Sequence, residues 1–349
     1  MIILYKKQQT ILVRISNGGL LMLPFGKIRS EVLNNIILKN ISVNDPKIVF
    51  GPKEGFDAAV LEYDEKNYLV IATDPILGVP KEHFGFFTYH FASSDVAVFG
   101  AIPKWLIVNL LLPNGTTEED LNSVMRELNE ECKKYGTSII GGHTGVYSTT
   151  RSFTATTTAI GLVKKDELKL PLAKPGDDII ITKGIAIEFA VGAAWFRTEE
   201  LKKILSPSQI SSLREMYTLE TVVKDALLAK KFARGMHDVT EGGLTTLHEI
   251  ADNSEVGFEV YYEKLHMPPL VKKVVKFYGV NPLTVSSTGT LIIISPQENT
   301  SKLIKALHSH GINASTVGKF TEEKERALIK KGRKEEFPKF EKDAYAEMY

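Results

Sequence analysis

Three aspartates could hold a metal. The runs Asp57–Tyr63 and Tyr68–Asp74 flank the polar tetrad Asp64-Glu-Lys-Asn67 and read as a β-hairpin. In symmetric register about the midpoint of Glu65 and Lys66, Asp57 stands directly opposite Asp74. Opposed Cβ atoms lie about 4.5–5.5 Å apart, where like charges repel. A bound cation reverses that sign. Mg²⁺, which takes oxygen ligands and is held by one or two carboxylates plus phosphates, fits. Asp95 falls on the stripe Phe84, Phe87, Phe91, Val98 of an expected helix, a face that should be buried, where an unpaired carboxylate is costly. The same residues also fit two strand ends and a buried hydrogen-bonding aspartate. A one-residue slip would separate the opposed pair.

Two glycine-rich segments could receive an anion. Ile139-Ile-Gly-Gly-His-Thr-Gly145 reads as an apolar strand entering a loop whose backbone N–H groups can approach a phosphate. An ordinary turn with an exposed His143 fits equally. His237-Asp-Val-Thr-Glu-Gly-Gly-Leu244 places Asp238 and Glu241 at capping-box spacing ahead of Leu244, Leu247 and Ala251. A helix start with two glycines is an anion site, or simply a capped helix. His237 is a candidate acid/base with no partner identifiable from sequence. Lys174-Pro-Gly-Asp177 and Thr182-Lys-Gly184, ending in Glu188, read as structural. Gly26-Lys27 lacks the upstream glycine of a P-loop.

These residues need mixed α/β elements to position them. A helix is expected over 30–38 and another over 84–100. A strand follows at 105–112, and a helix over 117–135 opens on Thr116/Thr117 and is closed by Gly136. Strands follow at 138–140 and 153–163. The charged, proline-containing stretch 164–176 marks a boundary. Beyond it, strands are expected near 179–182, 257–262, 290–295 and 313–318. Helices are expected near 186–197, 218–231, 243–252, 267–278 and 300–310, with a solvated Lys/Glu-rich helix and tail over 320–343. The domain reading is a lead-in over 1–50, with short strands at Ile11-Leu-Val13 and Leu20-Leu-Met-Leu23 around Asn17-Gly-Gly19, an N-terminal domain over 51–165, a C-terminal domain over 170–320 and a charged tail over 321–349. Ala59, Leu61, Val70 and Ala72 are assigned to one hairpin face and Ala58, Val60, Leu69 and Ile71 to the other. Both are apolar, so one face needs a helix and the other a partner subunit.

The 349 residues correspond to about two domains at roughly 150 each. With 43 Lys+Arg against 42 Asp+Glu the net charge is +1, which gives no global field for nucleic acid. One cysteine, Cys132, excludes an intrachain disulfide and any cysteine-cluster metal site. No apolar run reaches the ~18 residues a span requires. A cytoplasmic, non-membrane protein that binds no nucleic acid is expected.

Taken together, the motifs resemble the aminoimidazole-ribonucleotide (AIR) synthase superfamily, and within it the archaeal HypE-like, or AIR synthase-related, proteins. Leu23-Pro-Phe-Gly-Lys27, Gly51-Pro-Lys-Glu-Gly-Phe-Asp-Ala-Ala-Val60, Thr73-Asp74, Ser94-Asp-Val-Ala-Val-Phe-Gly-Ala101, Gly141-Gly-His-Thr144 and His237–Leu244 carry the likeness in order. It implies a two-domain α/β (α+β) protein. Its N-terminal AIR synthase-like (PurM-like) domain would dimerise through its sheet into a shared β-barrel, beside a C-terminal domain of the same kind. An ATP–Mg²⁺ site would lie in the cleft, partly formed across the homodimer. By position, Asp57, Asp74 and Asp95 would be the metal ligands. Gly55, Gly141, Gly142, Thr144, Thr240, Glu241, Gly242 and Gly243 would surround the nucleotide. Asp95, His143 and Asp238 would be catalytic. The implied reaction is ATP-dependent phosphorylation of an amide, carbamoyl or similar oxygen on a small molecule or carrier. Phe56 stands where an acid often precedes Asp57, and this sequence shows Ala346-Glu-Met-Tyr349 in place of a terminal Cys. Reaction on a terminal thiol is therefore not expected. A catalytically reduced nucleotide-binding accessory protein and a thiamine-monophosphate-type kinase are the competing readings.

Overall fold

The computed structural model describes Leu23, residues 26–340 and residues 342–348. The strands expected at 11–13 and 20–23 lie outside these, apart from Leu23. Strands β1 (Ile48–Phe50), β2 (Ala59–Glu62), β3 (Asn67–Ile76), β4 (Ile102–Pro113), β5 (Ser138–Tyr147) and β6 (Thr154–Lys164) form one sheet in the order β1-β2-β3-β6-β4-β5. Strands β7 (Asp178–Thr182), β8 (Gly235–Val239), β9 (Gly257–Tyr261), β10 (Thr290–Ser295), β11 (Ala314–Thr321), β12 (Arg326–Lys330) and β13 (Arg333–Glu336) form the second, ordered β13-β12-β9-β11-β7-β10-β8. The protein is a mixed α/β molecule with two such units.

The Phe84–Val98 helix joins them. Strand β6 alternates small inward residues, Ala155, Thr157, Ala159 and Gly161, with half-exposed neighbours. Their small size lets the helix lie close: the Thr157 hydroxyl donates to the Thr88 carbonyl at 2.8 Å, and a Cβ on Gly161 would collide with Val96. The helix was expected to bury one stripe. It buries every residue except Phe91, because the sheet, the Glu118–Tyr135 helix and the second domain surround it. A single core runs from Val60 and Val70 through this helix to Ala226, Met236 and Leu291. The Glu118–Tyr135 helix has the expected signals: a Thr117–Asp120 capping box and Gly136 in the left-handed region at φ 67°.

Four expectations are corrected. The hairpin pairs Val60 with Val70 and Leu61 with Leu69, one residue away from the symmetric register. The cause is the Asp64 side chain, which accepts the Lys66 and Asn67 N–H groups at 2.7 Å and shapes an odd-length loop. Asp57 therefore falls before β2, not opposite Asp74. The faces re-sort accordingly: Ala58, Val60, Val70 and Ala72 are buried beneath the helix, and Ala59, Leu61, Leu69 and Ile71 share the half-buried outer face. Gly141–Gly145 is not a loop but part of β5, parallel to β4. The expected helix at 320–343 is instead the β12–β13 hairpin, turned by Lys331 and Gly332 at φ 49° and 73°, so the second sheet continues to Glu336. Ala327 and Leu328 are buried there. Asp238 caps no helix; it lies within β8, and a 3-10 turn at Gly243–Thr245 leads into the α-helix that begins at Thr246. The Pro207–Glu215 helix, opened by a Ser206–Gln209 capping box, was missed.

Candidate active site

Four carboxylates arrive from four elements. Asp57 follows the turn before β2, Asp74 sits in β3, Asp95 lies on the Phe84–Val98 helix and Asp238 is the penultimate residue of β8. Phe56 points away into the core and stacks on Phe50 with ring centroids 5.7 Å apart. A cavity of about 410 Å³ opens between the sheets, with Asp57, Asp74, Asp238, Thr240 and Glu241 in its wall. Ser94, Glu188 and Thr288 line its other side. Lys27 and Glu241 also border an adjoining cavity of about 570 Å³ that holds Arg29, Lys53 and Lys339.

The acids perturb one another. Burial, then Asp238 and Asp57, pushes Asp74 up to about 7, although its side-chain hydrogen bond with Asp95 opposes the rise. Asp95 is buried and is held well above the usual carboxylate range, by burial first and by Asp74, Asp238 and Asp57 next. Two adjacent carboxyls of this kind favour holding one proton between them over carrying two charges. Asp57 also rises, through the surrounding protein volume, while His237 and Lys27 oppose the rise. Its side chain stays about a third open to the cavity, so this effect is weaker than at Asp95. His237 is buried, which alone would lower its pKa, yet Asp57, Asp238 and Glu249 bring it up to about 10. Glu188 is pushed up to about 7 by burial, against the Thr288 N–H that donates to it at 2.9 Å.

The C-terminal segment closes one wall. Asp343 accepts the Gly242 N–H and the Ser286 hydroxyl, both at 2.8 Å. The Tyr345 hydroxyl donates to the Gly78 carbonyl at 2.8 Å. Residues 343–348 fall in the stretch 321–349 expected as a charged tail, yet Asp343, Tyr345 and Met348 are buried.

Asp57, Asp74, Asp238, Thr240 and Glu241 therefore meet around one cavity, and Asp95 lies buried behind its wall against Asp74. Gly55, beside Glu249 and Asn253, and Gly242, beside Thr245 and Phe340, border the adjoining cavity instead, and Gly243 packs against the Leu283 and Val285 backbone. Gly141, Gly142, His143 and Thr144 line neither cavity. They are exposed on edge strand β5, three inter-strand steps from β3, roughly 14 Å. There His143 Nε2 lies 2.5 Å from the Tyr147 hydroxyl. Sequence reasoning missed Glu249, Thr288 and the returning Asp343. Each is supplied by tertiary packing, and only Glu249, eight residues after Glu241 on the next helix, carried a spacing signal.

The N-terminal domain profile of AIR synthase related proteins matches residues 55–163, and the C-terminal profile matches 174–331. This chain belongs to the AIR synthase-related family. It is 27% identical over 318 residues to a hydrogenase expression/formation protein of Methanocaldococcus jannaschii, covering 87% of this chain and 91% of that one. It is 28% identical over 246 residues to the carbamoyl dehydratase HypE of Rhizobium leguminosarum bv. viciae, covering 68% of each. A crystal structure of the hydrogenase maturation protein HypE in complex with ATP superposes with a TM-score of 0.68 at 20% identity, covering 92% of this chain and 97% of that one. The family and the HypE-like fold expected from the motifs are thus established. Among the described residues no helix is long and apolar enough to cross a membrane.

Proposed function

We propose that this protein is an ATP- and Mg²⁺-dependent enzyme that phosphorylates an amide, carbamoyl or similar oxygen of a small molecule or carrier. The observation that carries the reading is the convergence of Asp57, Asp74 and Asp238 on one cavity between the sheets, with Asp95 buried directly behind Asp74. The likeness to a HypE solved with ATP supports it. The donor set fits the ion: the acids outnumber the cations Lys27 and His237, and a divalent ion can take up carboxyls that proximity holds protonated. Asp57, Asp74 and Asp95 are the proposed ligands. Mg²⁺–ATP, when bound, supplies the transferable phosphoryl group and neutralises charge around it.

The chain's own groups position and neutralise. Lys27, its side chain 43% exposed, faces the same cavity and is free to meet phosphate oxygens once Glu249 releases it. Glu188 and Thr288, on the far side, border the space for an acceptor. Preorganised charge of this kind stabilises a transition state without reorganising. We place the shared site in a homodimer. The outer sheet face carries Leu61, Leu69 and Ile71, and edge strand β5 exposes Ile139 and Ile140, 38% and 56% accessible. Burying that face against a second copy brings Gly141, Gly142, His143 and Thr144 to the partner's cavity.

Calorimetry with a non-hydrolysable ATP analogue tests the reading. Binding should require Mg²⁺ and should fall at least tenfold in Asp74→Asn and Asp95→Asn. Unchanged binding in both variants removes the metal assignment.

A further inference from the structure

His237 has a role that the oxygen-ligand reading does not use. Its Nδ1 lies 2.8 Å from the Asp238 carbonyl oxygen. That oxygen can only accept, so Nδ1 carries the hydrogen and Nε2 is the ring atom left to face outward. Nε2 is fully buried and makes no hydrogen bond. It points at Asp57, whose Oδ2 is 3.3 Å away, at ion-pair distance but without hydrogen-bond geometry. Glu249 Oε2 follows at 3.9 Å. One ligand atom each from Asp57, His237 and Asp238 falls within 4.8 Å of the others; the Asp238 carboxylate lies along the ring edge, its Oδ1 3.5 Å from Nδ1, so it reaches a shared ion from the side while Asp57 faces Nε2. A ring nitrogen oriented through its other nitrogen by a backbone carbonyl is the arrangement found at metal-bound imidazoles.

We propose that Asp57, His237 and Asp238 form a mixed nitrogen–oxygen site for a first-row transition-metal dication, with His237 Nε2 as the nitrogen ligand. Binding replaces the proton on Nε2, which leaves to solvent, with the metal–nitrogen bond. Imidazole favours cobalt, iron and zinc over magnesium, whereas carboxylates alone do not discriminate in that way. Asp57 also belongs to the Asp74–Asp95 group, so it stands where the two donor sets meet. Its side chain remains open to the cavity, which leaves coordination positions for water or a ligand oxygen. The site is thus both selective and accessible.

The test uses the full chain without nucleotide, so it stands apart from the ATP reading. Wild-type protein is titrated with Co²⁺ and, separately, with Mg²⁺. Co²⁺ should bind at one ion per chain with visible absorption bands of a nitrogen–oxygen environment. His237→Gln should weaken Co²⁺ by at least about tenfold while moving Mg²⁺ affinity less than about threefold. Equal Co²⁺ affinity in wild type and variant overturns the proposal, as does a wild type that binds no Co²⁺. Should His237→Gln fail to fold, pulsed electron paramagnetic resonance of Mn²⁺ on wild type decides. Nitrogen modulation from one imidazole supports the site, and its absence overturns it. Loss of ATP binding with Co²⁺ binding intact would remove the nucleotide reading and leave this one standing.

Discussion

Asp74 on β3 and Asp95 on the Phe84–Val98 helix hydrogen-bond carboxyl to carboxyl, and both are held above the ordinary aspartate range. The pair ties the sheet to the helix that joins the two domains. Both carboxyls face the charge of Asp57 and Asp238.

A stability profile follows from that pair. A carboxyl whose folded pKa is raised imposes no penalty below its unfolded value of 3.8 and the full penalty above its folded value, about 7 for Asp74. Metal-free protein should therefore lose stability as pH rises from 4 to 7 and level off above. Asp74→Asn should be more stable than wild type at pH 8, on the order of 1–3 kcal/mol, and closer to it near pH 4. Urea unfolding across pH measures this. Mg²⁺ should reverse the order, stabilising wild type by about 2.7 kcal/mol at a hundredfold excess over Kd and Asp74→Asn far less.

The hairpin register separates two neighbouring substitutions. Val70 is fully buried beneath the helix and Ile71 faces outward. Val70→Asp should unfold the domain, because an unpaired buried charge costs several kcal/mol. Ile71→Asp should leave a folded, monomeric chain, whereas wild type should form a dimer burying about 2,000 Å² or more. Circular dichroism with light scattering distinguishes the outcomes. A monomeric wild type at micromolar concentration would remove the dimer and the shared site.

Cys132 should be chemically silent. It is buried on the inner face of the Glu118–Tyr135 helix, and burial, then Glu131, pushes its thiol up to about 11. Thiol-reactive dye should label it at pH 8 only on unfolding. Cys132→Ala should keep nucleotide binding and cost about 1 kcal/mol. Rapid labelling of the native protein would contradict the packing.

Asp343 should hold the cavity wall. Removing its carboxylate leaves the Gly242 N–H and the Ser286 hydroxyl without their acceptor. Asp343→Ala should destabilise by about 1–3 kcal/mol and raise hydrogen exchange across residues 342–348 before elsewhere. Uniform exchange would show that the segment is not a separate latch.

Much of the local structure is legible in residue order. The Thr117–Asp120 box, Gly136 and the alternation of β6 are short-range signals, read within a turn or a strand, and each appears where its chemistry requires. The Lys331-Gly332 turn was equally local but was hidden by the density of charge around it, which masked the short apolar run Ala327-Leu-Ile329. Six ordered motifs were enough to reach the family, because its glycines and aspartates recur at set places along the chain.

By itself the sequence determined the two α/β units, the family and the identity of the acids. Tertiary structure decided how those acids are used. The register depended on the Asp64 side chain capping its own loop, a choice among turns of nearly equal energy that no apolar pattern distinguishes. The partners of His237 come from residues 57 and 249, elements far apart along the chain that meet only when the core closes around the Phe84–Val98 helix. The glycines of β5 are set at a sheet edge because strand order, not strand content, places them there. Short-range propensity is written residue by residue, whereas electrostatic coupling depends on distances that exist only after packing.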